Sequence, residues 1–251
     1  MTPAGAEAAL WAAFVRNRNV DMDTAGDGAV AVAGGYGLCL AGTDIDLALG
    51  AGTTRPLRGD DLDVLRAFYG ARGLPLRVEL DDAVLARDRA VLNAAGLHEE
   101  SDRRIVLERG LDDLNADTHA ISTTHDLAAW SALAASSIDG RSADPERELR
   151  TLRAAGAAAQ RLVLAQVDGI PIGAGAVAVV GDVALLYGGH VQPAFRGRGL
   201  YRALVAVRFD FARGNGATRA SIAVPPNSEA ERAARALGFV AVTERVRLRA
   251  S

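Results

Sequence analysis

The sequence predicts an α/β fold, with a mixed sheet in each of two tandem units, and three observations carry that expectation. Short apolar and β-branched runs alternate with helix-period segments along the 251 residues. One order of helix, strand and helix occurs twice. A glycine-rich turn, Arg196-Gly197-Arg198-Gly199-Leu200-Tyr201, joins an apolar run ending at Val191-Gln192-Pro193 to a helical pattern from Leu200 to Arg213.

The repeat is read from matched positions. Ala71-Arg72-Gly73 and Ala212-Arg213-Gly214 each close a helical pattern and precede a strand, and Arg77-Val78-Glu79-Leu80 parallels Arg219-Ala220-Ser221-Ile222. Ala94-Ala95-Gly96-Leu97 matches Arg235-Ala236-Leu237-Gly238-Phe239 in place, and Ile105 to Arg109 echoes Val246 to Arg249. The expected domains are therefore 1–112 and 113–251, joined by the short polar stretch Asp112 to Asp117.

In the first unit, the pattern predicts a helix over Glu7–Arg16 and strands over Ala29–Ala33, Leu38–Ala41 and Ile45–Leu49. Helices over Asp61–Ala71 and Ala83–Ala94 and strands over Arg77–Leu80 and Ile105–Arg109 follow. The second unit is expected to hold a strand at Thr118–Ser122 and helices at Thr124–Ser137 and Pro145–Ala155. The turn signals Asp168-Gly169 and Gly181-Asp182 make Arg161–Val167, Pro171–Val180 and Val183–Gln192 a meander. After the glycine-rich turn and its helix come a strand at Thr218–Val224, a helix at Ser228–Leu237 and a last strand.

Composition narrows the function. Hydrophobic residues make up 49% and the net charge is −3, which argues for globular folding and against a nucleic-acid binder with its usual basic surplus. All 28 basic residues are arginine, so no P-loop lysine, Schiff-base lysine or Ser-x-x-Lys site exists. The single cysteine, Cys39, cannot form an internal disulfide and, between Leu38 and Leu40, reads as a buried structural thiol in a cytoplasmic protein. The longest uncharged run, Gly169 to Gly181, is too short and glycine-rich to span a bilayer. No signal peptide is expected, since no basic segment precedes an apolar core. Four histidines, His98, His119, His125 and His190, lack metal-ligand spacing, so no metal is expected. Gly173 to Ala178 matches a dinucleotide fingerprint by letters only, because Val179 and Val180 continue a strand where a helix should start.

The glycine-rich turn is the site with a physical purpose. Glycine lets the backbone approach a ligand, and the following helix offers unpaired N–H groups and the positive end of its dipole to an anion. Charge-assisted hydrogen bonds contribute roughly 1.5 to 3 kcal/mol each, so a few of them hold a pyrophosphate. The stretch resembles the acyl-CoA loop of the GNAT (Gcn5-related) N-acetyltransferases, in which Arg or Gln is followed by two residues, Gly, one residue, and Gly or Ala. Arg196 and Gly199 match, while Tyr201 stands where a small residue is usual. Val191 to Phe195, Asn227 and Ala236-Leu237-Gly238-Phe239 extend the resemblance, which covers residues 115 to 251.

The resemblance implies a transferase that moves an acetyl group from acetyl-CoA to a primary amine of a small molecule by direct attack. It implies cofactor contacts from Gly189, Val191, Arg196, Gly197, Arg198, Gly199, Leu200, Tyr201 and Asn227. The strand before the loop, Tyr187-Gly188-Gly189-His190-Val191, is where the family places a backbone oxyanion donor and, often, a base facing as Val191 does. Period-two alternation puts Leu185, Tyr187 and Gly189 on that face, so Tyr187 is its polar candidate; His190 faces oppositely unless a bulge turns it. Tyr187 and His190 are the candidate catalytic residues. Many relatives carry a tyrosine acid where this chain has Ala234, which leaves the thiolate's acid open among Tyr201, another group, water or none.

In the first unit, the matching segment Gly50 to Gly59 lacks the arginine-to-glycine spacing, and Pro56 removes a backbone donor. That copy is expected to be degenerate and to leave one acyl-CoA site per chain. A monomer and a homodimer both remain open. The alternative function is a catalytically weak acyl-CoA-binding sensor or partner-binding protein.

Overall fold

A computed structural model describes residues 1–21, 26–136 and 144–250. Ser137, the expected end of one helix, and Ser251, the expected end of the second domain, lie outside the described residues. The chain divides into two compact units, Met1–Glu108 with Ala223–Ser251, and Arg109–Ile222. This grouping by packing differs from the sequence cut between 112 and 113, which follows the repeat.

The first unit begins with α1 (Pro3–Asp21), which buries Ala6, Ala8, Trp11, Ala12 and Val15. It starts earlier than expected because Thr2 Oγ1 accepts from the Gly5 N–H and Pro3 opens the helix, where a missing N–H costs nothing. β1 (Gly28–Val32) pairs antiparallel with β2 (Gly35–Cys39), and β2 with β3 (Ala48–Leu49). β3 is shorter than its apolar run, although the Leu38 N–H still reaches Leu47 O and the Leu40 N–H reaches Ile45 O.

Next, α2 (Gly59–Gly70) carries the chain over to β4 (Arg77–Asp81), parallel to β3. Parallel neighbours need such a crossover. α3 (Asp82–Ala94) and β5 (Leu97–Gly110) follow, β5 starting eight residues before the predicted run. The last strand of the chain, β11 (Val240–Ala250), lies between β4 and β5 and is antiparallel to both. α7 (Glu229–Ala236) precedes it, capped by Ser228 Oγ on the Glu231 N–H.

Charge as well as hydrophobicity packs this sheet. Arg245 on β11 is buried and pairs with Glu7, Glu79 and Asp81, while Arg247 pairs with Glu79 and Asp102. The alternating Arg245-Val246-Arg247-Leu248 run thus belongs to an interior strand, with Val246 and Leu248 in the core.

The second unit opens with β6 (Ile121–Thr124), later than predicted because a turn, the Ile121 N–H to Thr118 O, occupies the preceding residues. Asp126 caps α4 (Leu127–Ala135), and Asp144 caps α5 (Pro145–Ala158), each with a side-chain oxygen on the N–H three residues on. β7 (Arg161–Val167), β8 (Ile170–Val180) and β9 (Val183–Val191) form the predicted meander. α6 (Leu200–Gly214) then leads to β10 (Arg219–Val224), parallel to β9, and β6 closes the other edge beside β7. α2 and α6 therefore each follow a meander strand and cross to a parallel neighbour.

Among the described residues, no helix is long and apolar enough to cross a membrane.

One contact in the first unit gives a direct test. Tyr69 of α2 is fully buried; its hydroxyl accepts from the Leu38 N–H at 3.0 Å and donates to Leu38 O at 3.2 Å. Burial raises its pKa, so the phenol stays protonated. Tyr69→Phe removes both of these buried hydrogen bonds to β2 and is expected to cost about 1 to 3 kcal/mol, read as a lower urea midpoint at unchanged m.

Candidate active site

The site is built on the end of β9. Pairing with β10 stops at Ser221 opposite Leu185, while β9 continues to Val191. The Gln192 N–H donates to Ile172 O at 2.9 Å on the β8 side. Strand alternation therefore turns the N–H of Val191 to the opposite edge, which β10 does not pair.

A bulge interrupts β9. Tyr187 lies opposite Ala176 and His190 opposite Ala174, so Gly188 and Gly189 together face the single residue Gly175. Gly188 takes φ +59°, a left-handed conformation that only glycine adopts freely, and a Cβ there would lie 2.3 Å from the Trp130 ring. Trp130, fully buried on α4, donates its indole N–H to Gly175 O at 2.9 Å. The ring thereby holds the bulge from one side and satisfies a carbonyl that the bulge would leave open.

This corrects the predicted facing. Tyr187 does not share a face with Val191. The extra residue shifts the phase, placing Tyr187 and His190 on the α4 side with Ala174, Ala176 and Trp130, and Val191 on the other side with Leu200 and Leu204. The two candidate bases are thus brought onto one face. His190 is buried and Tyr187 half-buried. Trp130 was not singled out in the sequence; a tryptophan four residues past the Asp126 cap was the available signal.

After β9, the turn Pro193–Phe195 closes with the Phe195 N–H on Gln192 O and the Arg196 N–H on Pro193 O. Arg196 folds back, its Nε donating to Val191 O at 3.0 Å, so it ties the loop to the strand end. Arg198 lies over the Phe195 ring, 5.2 Å from its centroid. Gly197 and Gly199 have φ +75° and +78°, and nothing lies within 4 Å of where their Cβ atoms would be. Gly199 caps α6 without a side chain. The first-turn N–H groups of Leu200, Tyr201 and Arg202 consequently have no side-chain cap at the positive end of a 15-residue helix.

Asn227 and Ala234 fall in the other compact unit. Asn227 has φ +58°, its N–H donates to Glu231 and its carbonyl accepts from Arg232, so its backbone shapes the start of α7. Ala234 is buried on α7.

The corresponding loop of the first unit is occupied by its own side chains. Asp61 accepts from both Nη atoms of Arg55 at 2.7 Å and from the Arg58 N–H at 2.8 Å. Asp88 accepts from the Leu57 N–H at 3.0 Å and from Arg87. The donors that an anion would use there already hold carboxylates.

The chain is similar to known proteins in its second half and in its fold. Residues 125–239 match the model of the acetyltransferase (GNAT) family. A GCN5-related N-acetyltransferase from Kribbella flavida is similar at 22% identity and TM-score 0.63, covering 100% of this chain and 96% of that one. A tandem GNAT protein from the clavulanic acid biosynthesis pathway is similar at 17% identity and TM-score 0.58, covering 86% and 77%. No curated protein matches the chain. The sequence match to the acetyltransferase (GNAT) model thus lies in the second half of the chain, and the similarity of fold extends over the whole of it.

The filled loop makes a pH prediction. Hydrogen bonds from Arg55, reinforced by the Arg58 N–H, hold the Asp61 carboxyl below its ordinary value although burial opposes them. A lowered folded pKa gives stability that is complete above the unfolded value, ~3.9, and is lost as pH falls through the folded one. Asp61→Asn should therefore be less stable than wild type at pH 7, with the difference shrinking toward pH 3 in urea titrations.

Proposed function

We propose that the chain transfers the acetyl group of acetyl-CoA to a primary amine of a small molecule by direct attack, with the second of two tandem copies, 1–112 and 113–251, holding the donor. The observation that carries this reading is the continuity of two donor sets: the uncapped N–H groups of Leu200 to Arg202 and the outward N–H of Val191 on the unpaired edge of β9. The first set fits a pyrophosphate, with Arg196, Gly197, Arg198 and Gly199 shaping its cradle. The second fits the oxyanion that forms when an amine attacks the thioester carbonyl.

The attacking amine must be neutral, and Tyr187 and His190, on one face of β9 beside its open end, are the groups available to take its proton, directly or through water. The carbon–nitrogen bond forms, the carbon–sulfur bond breaks, and the electron pair leaves on sulfur. No covalent enzyme intermediate is needed, and Cys39, buried in β2, has no part in it. The carboxylates of Asp61 and Asp88 in the first loop support a copy that binds no acyl-CoA. The reading places the enzyme in the cytoplasm, as monomer or homodimer, with no nucleic-acid or membrane partner.

Calorimetry with CoA tests the cradle: one CoA per chain is expected, and Gly199→Glu, which puts a negative side chain in the anion site at a left-handed position, should abolish binding with the fold intact by circular dichroism. Undiminished affinity in that variant, or two equivalent sites per chain, would overturn it. A metabolite-amine screen read by mass spectrometry identifies the acceptor. With that acceptor, Cys39→Ala should keep wild-type turnover, whereas Tyr187→Phe or His190→Ala should lower kcat by about 10- to 1000-fold for whichever is the base.

A further inference from the structure

Beneath the bulge lies a buried cation without a counter-charge. Arg208 of α6 is 1% exposed, and among the described residues no carboxylate pairs with it. Its Nε donates to Leu204 O at 2.9 Å and its Nη1 reaches Ala176 O at 3.4 Å, while the buried Nη2 makes no hydrogen bond of ordinary geometry. Burying a guanidinium this way is costly, and two backbone carbonyls repay only part of it.

The packing is made for this group. A Cβ on Gly175 would lie 3.0 Å from Arg208 Cζ, and one on Gly189 would lie 3.2 Å from Tyr201 Cε2, 3.6 Å from the Tyr201 hydroxyl and 3.6 Å from Arg208 Nη2. The two glycines at the bulge thus leave room for a guanidinium and a phenol side by side. Tyr201, seven residues before Arg208 on the same helix, is the titratable group that acts on Arg208. Gly189, next to both, is exposed on the length of β9 that β10 leaves unpaired. Tyr201 is also the position at which the loop departs from a small residue.

We propose that the Tyr201 hydroxyl, packed beside the Arg208 guanidinium at Gly189, donates the hydrogen bond that stabilises the departing thiolate of the acyl carrier. This rests on the acyl-CoA reading above. When the carbon–sulfur bond breaks, sulfur takes the electron pair and accepts the phenolic O–H hydrogen bond. The proton lost by the amine goes to the base or to water, and the thiolate is later protonated by solvent. Burial keeps the phenol protonated and therefore a donor. Arg208 is a positioning residue: a guanidinium has no acceptor to offer, so beside it the phenolic proton turns away. Facing the pair are Gly175 and Ala176 of β8 and Gly189 of β9, none titratable; Tyr187 and His190 lie on the other face.

The test needs no acceptor. CoA is titrated into the protein by calorimetry between pH 6 and 9 in buffers of different ionisation heat, which counts protons released on binding, with desulfo-CoA as control. In wild type the thiol of bound CoA should ionise about one unit or more below its free value, so CoA releases more protons than desulfo-CoA near pH 8. Tyr201→Phe and Arg208→Met should bind CoA and lose that excess, while Arg208→Lys should keep part of it. CoA binding with the same excess in both loss variants, or no excess in wild type, overturns this inference alone. No CoA binding by wild type overturns the acyl-CoA reading and this inference with it.

Discussion

The second unit depends on one irregularity, the two-for-one pairing of Gly188 and Gly189 against Gly175. A regular β9 would put Tyr187 and Val191 on one face and His190 on the other. The inserted residue moves Tyr187 and His190 to the α4 face and leaves Val191 with α6. It also opens the space that Trp130 fills on one side and Tyr201 and Arg208 fill on the other. The bulge is held by the tryptophan's hydrogen bond to Gly175 O, because a left-handed glycine alone would be free to relax.

The two loops that follow a meander strand show how small differences decide whether a helix start can accept an anion. In both, glycines with positive φ precede the helix. In the second unit the cap is a bare glycine and no side chain caps the first-turn donors. In the first, Asp61 sits three residues into the helix approach and returns to the Arg58 N–H and Arg55, while Asp88 reaches across from α3 to the Leu57 N–H. The same electrostatics that would bind a phosphate is satisfied internally, and it stabilises the fold there.

Most elements were legible because their signals are local. The meander was readable from Asp168-Gly169 and Gly181-Asp182, and α5 from the helical pattern that starts at Pro145. The loop was readable because its glycines have no other explanation. What escaped depends on partners distant in sequence. The bulge arises from pairing between residues 173–180 and 183–191, and period-two alternation assumes its absence. The Arg245 run is charged yet interior, because Glu7, Glu79 and Asp81 come from far along the chain to neutralise it. Arg208 was invisible as well: one arginine among many on a helix gives no sign that it will be fully enclosed.

The placement of β11 has a consequence for how the molecule is made. The strand completing the sheet of the first unit is encoded at residues 240–250, after the whole second unit, and it pairs with both β4 and β5. During synthesis, the neighbours of that strand emerge more than a hundred residues before it does. Until it arrives, β4 and β5 each present an unpaired edge, and the carboxylates of Glu79 and Asp81 lack the arginine that neutralises them. The second unit has all its strands by residue 224, so the order of translation favours its closing first. In this chain the unit that begins first is the one that finishes last.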